Sequence, residues 1–154
     1  MEDKRHLCII PFENPMFDPA PLRIEEISPD QEGPGLRLIF GGVEQSQFDQ
    51  QRAMLRAWRD RPPMSGYRIW GAFRAEKLTG AILTLTQPGR TAVVWSPRLV
   101  AGEPQETALQ LLCAGLAHLP QLGIRVVQAV LPTDVGADAE SLLAAGFEHV
   151  SEVV

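Results

Sequence analysis

The stretch from Thr91 to Leu131 constrains the fold of this chain more than any other part of the sequence. It combines an apolar strand, a short loop closed at 102–104, an amphipathic helix over Pro104–Leu119 and a second apolar strand that starts at Ile124. A strand that leads into a helix through a tight loop leaves the first backbone N–H groups of the helix without partners. Such a helix start attracts phosphate groups, so this order predicts a site for a phosphate-bearing cofactor.

The composition indicates one globular domain in a reducing compartment. The 154 residues are 45% hydrophobic and 21% charged, which is enough apolar content for a single core. The net charge of −5 provides no basic field, so neither nucleic acid nor a membrane surface is expected as a partner. Cys8 and Cys113 lie far apart without a CxxC pair or a His cluster, which argues against a disulfide framework and against a metal site. No apolar run has the length of a signal core or a bilayer span, so we expect a cytoplasmic protein.

The first half of the chain reads as an arm followed by strands and one helix. Residues 1–21 hold four prolines, which predict an extended arm, so the domain proper spans 22–154. Leu22–Ile27 is a candidate first strand, and Leu36–Phe40, after the turn-rich stretch 28–35, is predicted as a firmer second strand. The elements predicted next are a helix over Gln45–Arg61 and an antiparallel meander over Tyr67–Arg74, Lys77–Thr86 and Thr91–Trp95. The last two of these strands should be central and covered on both faces.

The second half is predicted to add two helices and two strands. The buried stripe of the helix over Pro104–Leu119 is predicted to consist of Leu109, Leu112, Cys113, Leu116 and Leu119. After a strand over Ile124–Leu131, we expect a short helix over Asp138–Ala145 with Gly146 just beyond its end. A last strand should begin at Phe147.

Two segments of this half carry a resemblance to a known family. LLAAGF at 142–147 resembles the helix ending in Gly-Phe of the GNAT superfamily of N-acetyltransferases, and ALQLL at 108–112 resembles the opening of that family's long helix. The order of the elements over roughly Leu36–Val154 is similar as well. The resemblance implies an α/β fold with a GNAT-like mixed central sheet flanked by helices.

The same resemblance implies a cofactor and a place for it. An acyl-CoA, most simply acetyl-CoA, would be the co-substrate, with the backbone at 93–96 along its pantetheine and the segment 101–108 at its pyrophosphate. The implied cofactor-binding residues are Val93, Val94, Trp95, Ser96, Arg98, Gly102, Gln105, Glu106 and Thr107. We also expect Trp95 to flank the cleft instead of lying in a sealed core.

The cofactor loop departs from the family's pattern. The motif [QR]-x-x-G-x-[GA] falls on 103–108 and agrees only at Ala108, because Glu103 and Glu106 stand where a polar or basic residue and a glycine are usual. One interpretation of these two residues is that they stabilise the helix, because its macrodipole favours carboxylates in the first turn. The other is that they repel a diphosphate, unless the side chains turn outward or Arg98 compensates their charge.

The catalytic residues are incomplete by the same comparison. The tyrosine that many family members carry four residues before the Gly-Phe glycine is Leu142 here, and the only tyrosine, Tyr67, lies on an early strand. The candidates that remain are Ser141, whose hydroxyl would lie near the sulfur, and His149, which would titrate near neutral pH. The ordinary interpretation is that Ser141 is a solvated serine and that His149 is a surface histidine. The oxyanion would be stabilised by a backbone N–H from 94–96.

The sequence thus predicts an acyl-CoA-dependent N-acyltransferase that acts on a small-molecule or peptide amine. The alternative is a non-catalytic module of the same fold for acyl-CoA sensing or protein association. The family's sheet usually has one more strand after the Phe147 strand. This predicts either that the native chain continues past Val154 or that two copies pair edge to edge as a homodimer. In the remaining alternative, the last two strands pair directly and leave a monomer.

Overall fold

A computed structural model describes residues 20–59, 66–130 and 136–148 of the chain. The described strands are β1 (Leu22–Glu26), β2 (Gly66–Arg74), β3 (Lys77–Gln87), β4 (Thr91–Trp95), β5 (Arg98–Leu99) and β6 (Val126–Val130). The described helices are α1 (Glu32–Phe40), α2 (Gln45–Arg59), α3 (Glu106–Ala117) and α4 (Gly136–Ala144). None of these helices is long and apolar enough to cross a membrane. The predicted arm up to residue 19 and the tail from His149 onward lie outside the described residues.

The strands form one mixed sheet in the order β1-β2-β3-β4-β6, and β5 pairs with β3. Neighbours from β1 to β4 are antiparallel, which confirms the predicted meander. β6 is parallel to β4 because the chain returns across the sheet through α3. The expected α/β fold with a mixed sheet flanked by helices is therefore confirmed.

Helices cover both faces of the sheet. On one face, α1 and α2 bury Leu36, Ile39, Phe48 and Leu55 against a row that includes Ile69, Ala81 and Leu83. On the other face, α3 and α4 bury Leu111, Leu112 and Leu142 against Ala72, Ile82 and Val94. β3 is buried without a break from Thr79 to Leu85, as expected for a central strand between two layers.

The segment Leu36–Phe40 is the main error of the sequence-based assignment, because it belongs to α1 and not to a strand. A short apolar run fits either structure by its pattern, and here packing decides. Leu36 and Ile39 lie three residues apart on the buried face of the helix, whereas Arg37 is exposed. Gly35 allows this helix to approach the sheet, since a Cβ on it would lie only 2.9 Å from the Cδ1 atom of Ile27.

Smaller corrections concern the second half of the chain. The long helix begins at Glu106 and ends at Ala117, and the predicted stop, Pro120, lies in a 3-10 turn over Leu119–Leu122. Its buried side is formed by Thr107, Ala108, Leu111, Leu112 and Gly115. Cys113 is exposed, so it does not belong to the predicted stripe. Phe147 and Glu148 are not part of a strand, while Gly146 has the positive φ of +103° expected after a helix end.

Alanine substitutions at Ile39 and Leu38 distinguish a helix from a strand. In the helix, Ile39 lies on the same buried face as Leu36. In a strand, Leu38 and not Ile39 would lie on the same face as Leu36. We expect Ile39→Ala to lower the free energy of unfolding by about 2–5 kcal/mol. Leu38→Ala should cost clearly less, because Leu38 is only half-buried. Urea denaturation measures both values, and a larger cost at Leu38 would contradict the helical assignment.

Candidate functional site

A β-bulge interrupts the sheet at the end of β4. Thr84 of β3 pairs with Val94, and Ala81 pairs with Arg98. Between these pairs β3 contributes two residues, whereas the opposite side contributes three, Trp95 to Pro97. The extra residue widens that side of the pairing and bends the strand. The strand therefore breaks at Ser96 and Pro97, and the chain then continues along β3 as β5.

The residues of β4 that were predicted to bind the cofactor divide between the two faces of the sheet. Val94 is fully buried against the layer of α3 and α4. Trp95 is half-buried and packs against the cluster under α1 and α2. Val93 is half-buried, and its partner in the parallel pairing is Gln128 of β6. Trp95 is thus outside the fully buried core, and its place beside a ligand cleft stays a prediction.

The loop after β5 leads into α3 through a series of backbone hydrogen bonds. The N–H of Val100 donates to the carbonyl of Thr79 at 2.9 Å, and the N–H of Glu103 donates to Val100 at 3.1 Å. Between them the chain turns at Gly102, whose φ of +91° favours glycine. The first bonded N–H of the helix is that of Thr107, which donates to Pro104 at 3.0 Å. These hydrogen bonds fix the position of the start of α3 relative to β3.

Four backbone donors of this loop have no backbone acceptor within the described residues. They are the N–H groups of Ala101, Gly102, Gln105 and Glu106, and all four residues are exposed. Unpaired N–H groups at a helix start, together with the helix dipole, form a site that favours an anion. The predicted pyrophosphate segment therefore has the donors that a phosphate group requires.

Glu103 does not face solvent at this loop. Its side chain is 3% exposed and accepts hydrogen bonds from Arg74 of β2, from Nε to Oε1 at 3.1 Å and from Nη2 to Oε2 at 3.0 Å. The hydroxyl of Thr107 donates to the same carboxylate at 2.6 Å. Arg74 also donates to the carbonyl of Ala20 at 2.7 Å. One buried ion pair thus joins β2, the loop and the first turn of α3.

The charge on Glu103 is retained and compensated in this arrangement. Burial alone would raise the pKa of Glu103, but the hydrogen bonds from Arg74 and Thr107 outweigh it, and the pKa lies below its ordinary value. The predicted repulsion of a diphosphate by this residue therefore does not apply, because the carboxylate points inward onto a guanidinium. Glu106 and Arg98 are both exposed and remain as the charged side chains near the loop surface.

The two catalytic candidates have different outcomes. Ser141 is buried on α4, and its Oγ accepts a hydrogen bond from Nε2 of Gln105 at 3.2 Å. It is therefore not a solvated serine, and this contact joins α4 to the start of α3. Leu142, at the position of the family's tyrosine, is buried in the core. His149 lies outside the described residues.

Tyr67 lies on the other face of the sheet. Its hydroxyl donates to Glu32 at the start of α1 at 2.5 Å, and burial together with this carboxylate raises its pKa to about 12. It stays protonated at neutral pH, but its place against the α1 and α2 layer, bonded to Glu32, keeps it from replacing the missing tyrosine. In the part of the chain that the structure describes, no group of three His, Cys, Asp or Glu side chains could hold a metal ion.

Removal of the Glu103 carboxylate is expected to destabilise the protein. A carboxyl group whose pKa is lower in the folded state stabilises it above the unfolded pKa, about 4.5, and that contribution is lost as the pH falls toward the folded value. Glu103→Gln should lower the free energy of unfolding at pH 7 by about 3 kcal/mol, because the buried charge of Arg74 loses the carboxylate that compensates it.

Glu106→Gln is the matched control, because Glu106 is exposed and lies three residues further along. It should cost less than about 1 kcal/mol. Urea denaturation at pH 7 and again at pH 3.5 measures both variants. The difference between Glu103→Gln and the unmodified protein should shrink at the lower pH, and equal small effects of the two variants would show that the ion pair is unimportant.

Comparison with known proteins identifies the fold. No protein-family model matches the chain, and no curated protein sequence does. Among solved structures, the aminoglycoside N-acetyltransferase AAC(6')-Iy in complex with CoA has a TM-score of 0.67 at 11% identity, over 88% of this chain and 93% of that one. Glucosamine-6-phosphate N-acetyltransferase from Arabidopsis thaliana has a TM-score of 0.59 at 12% identity, over 87% and 96%. A transcriptional regulator from Bacillus halodurans C-125 has a TM-score of 0.65 at 13% identity, over 87% and 97%. The chain therefore has the mixed α/β fold of the GNAT acetyltransferases.

Proposed function

We propose that this protein is an acyl-CoA-dependent N-acyltransferase with acetyl-CoA as its co-substrate. The observation that carries the proposal is the loop between β5 and α3. Its N–H groups at Gly102, Gln105 and Glu106 have no backbone acceptor in the described chain, and its one buried carboxylate, Glu103, is turned inward onto Arg74. Unpaired N–H groups at a helix start favour a diphosphate, and these groups support the proposal although the loop departs from the family's sequence pattern.

The parts of the site fit the parts of an acyl-CoA. The pyrophosphate would lie at the start of α3, with Arg98 of β5 as the nearest exposed cation on the strand that precedes the loop. The pantetheine arm would run toward the bulge at the end of β4, along Val93 to Ser96. Thr107 contributes indirectly, because it is fully buried and its hydroxyl is bonded to Glu103.

The reaction at this site would depend on position more than on side-chain acids and bases. A neutral amine attacks the thioester carbonyl, the oxyanion is stabilised at the strand end, and the thiolate leaves. β4 carries no carboxylate, so the amine would have to lose its proton to water or to a group beyond this strand. Ser141 is held by Gln105, which gives the start of α3 a fixed position beside α4.

The acceptor is proposed to be a primary amine. The solved relatives include an aminoglycoside acetyltransferase and a glucosamine-6-phosphate acetyltransferase, whose substrates carry amino groups. At 11–12% identity these titles support the class of reaction and do not select an acceptor for this chain. A cytoplasmic location is proposed with the same function, because that is where acetyl-CoA is available to a soluble transferase.

A second candidate is a non-catalytic module of the same fold. The transcriptional regulator among the solved relatives favours it, as does the buried Leu142 at the position of the tyrosine. β6 is the last strand in the sheet order of the described residues, and Val126 on it is 51% exposed. An exposed apolar edge is a template for pairing, so association through this edge stays a prediction.

A charge reversal at Glu106 tests the proposed cofactor site. If a diphosphate binds at the start of α3, Glu106→Lys should tighten acetyl-CoA binding about two- to tenfold, and more strongly at low salt. Asp30→Lys makes the same change of charge before α1, on the other face of the sheet, and should leave the affinity unchanged. Calorimetry gives the dissociation constants.

Thermal unfolding provides an independent measurement of the same binding. A ligand at about 100 times its Kd adds roughly 2.7 kcal/mol to the free energy of unfolding. Absence of heat and of a thermal shift at millimolar acetyl-CoA would contradict the enzyme and favour the non-catalytic module. Equal effects of Glu106→Lys and Asp30→Lys would place the ligand elsewhere.

A further inference from the structure

Ser96 is a buried side chain without a hydrogen-bond partner. The residue is 6% exposed, and no group in the described part of the chain donates to its Oγ or accepts from it. Buried hydroxyl groups in folded proteins are nearly always hydrogen-bonded, because an unsatisfied one loses its bonds to water without compensation. Such an exception calls for an explanation at this position.

The position of Ser96 is the bulge at the end of β4. Ser96 and Pro97 are two of the three residues that oppose only two on β3, between the pairs Thr84–Val94 and Ala81–Arg98. Pro97 has no N–H group, so the bulge holds one backbone donor fewer than three residues normally supply. The hydroxyl of Ser96 is a donor in the same bulge, and it makes no bond within the described residues.

Within the described residues, the pairing of β4 with β6 ends at Trp95, whose partner in the parallel register is Val130. The acyl group of an acyl-CoA whose pantetheine arm follows β4 would therefore contact Ser96 as the first polar side chain beyond the paired strands. The buried serine of α4, Ser141, differs in that its Oγ already accepts a hydrogen bond from Gln105.

We propose that the hydroxyl of Ser96 donates a hydrogen bond to the carbonyl oxygen of the bound acyl thioester and to the oxyanion that forms from it. This inference rests on the proposed acyltransferase function. The amine nitrogen bonds to the carbonyl carbon, and the π electron pair moves onto the oxygen that faces Ser96. When the carbonyl re-forms, the carbon–sulfur bond breaks and its electron pair leaves on the thiolate. The proton lost by the amine goes to water or to the thiolate, and Ser96 keeps its own proton throughout.

The vibration of the acyl carbonyl tests this role without any acceptor amine. A hydrogen bond weakens the C=O bond, so acetyl-CoA labelled with 13C at the carbonyl should absorb at a lower infrared wavenumber on the protein than in solution. In Ser96→Ala the band should return toward the solution value, and in Ser96→Thr, which keeps a hydroxyl, it should stay low. Thr91→Val removes a hydroxyl from the opposite end of β4 and is expected to leave the band unchanged.

Thermal unfolding of the unliganded variants separates this role from a structural one. A serine that stabilises the bulge would make Ser96→Ala less stable, whereas an unpartnered hydroxyl predicts an equal or higher unfolding temperature. The remaining outcomes distinguish the two proposals. If the unmodified protein does not bind acetyl-CoA, the proposed function and the role of Ser96 both fail. If it binds acetyl-CoA but the carbonyl band is the same in Ser96→Ala, only the role of Ser96 is overturned.

Discussion

The buried ion pair between Arg74 and Glu103 is the interaction on which the candidate site depends. It joins the end of β2 to the loop before α3, and Thr107 adds a bond from the helix itself. A buried ion pair is not by itself a strong source of stability, because both charges lose their hydration. Its value here is positional. It fixes the loop, and the N–H groups of Gln105 and Glu106 at the helix start have no backbone acceptor within the described residues.

The bulge at the end of β4 is the second constraint on the candidate site. It depends on the helices that pack on both faces of the sheet. Layers of helices on both faces hold β3 and β4 in place, so the extra residue cannot be accommodated by moving a strand outward. The irregularity is confined to Ser96 and Pro97. It therefore lies close to the α3 loop along the chain. The end of β4 and the start of α3, which an acyl-CoA would both contact, are only a few residues apart.

Much of the fold could be predicted from the sequence, because the periodic segments are long. The meander, the long helix and the short helix before Gly146 all appear where the pattern indicates. One exception, Leu36–Phe40, is five residues long, which is too short for its period to be read, and packing against Ile27 and Ile69 decides its structure. Cys113 was misplaced because the helix is apolar on more than one side, and the buried side, which holds Ala108, Leu111 and Gly115, lies one residue before the predicted stripe.

The site was less predictable than the fold. The sequence places the loop and the strand end correctly, but it contains no local signal that Arg74, 29 residues before Glu103, is its partner. That contact exists because β5 and Val100 bond to β3, which brings the loop that carries Glu103 next to the end of β2. The same is true of Ser96, since the lack of a partner for a hydroxyl is a property of the packed structure and not of any motif. Ser141 shows the converse, since a serine on a short helix is commonly solvated, whereas this one is buried and accepts a hydrogen bond from Gln105.

Amide chemical shifts test the central claim most directly. In a 15N-labelled sample, titration with CoA should shift the amide resonances of Gly102, Gln105 and Glu106 more than those of any other loop, because a phosphate oxygen accepting their hydrogens changes their environment. The amides of the β2–β3 hairpin at Ala75 and Glu76 provide the internal reference. Saturable shifts concentrated at the start of α3 are the result that we predict. Shifts confined to other segments, or none at millimolar CoA, would contradict the account.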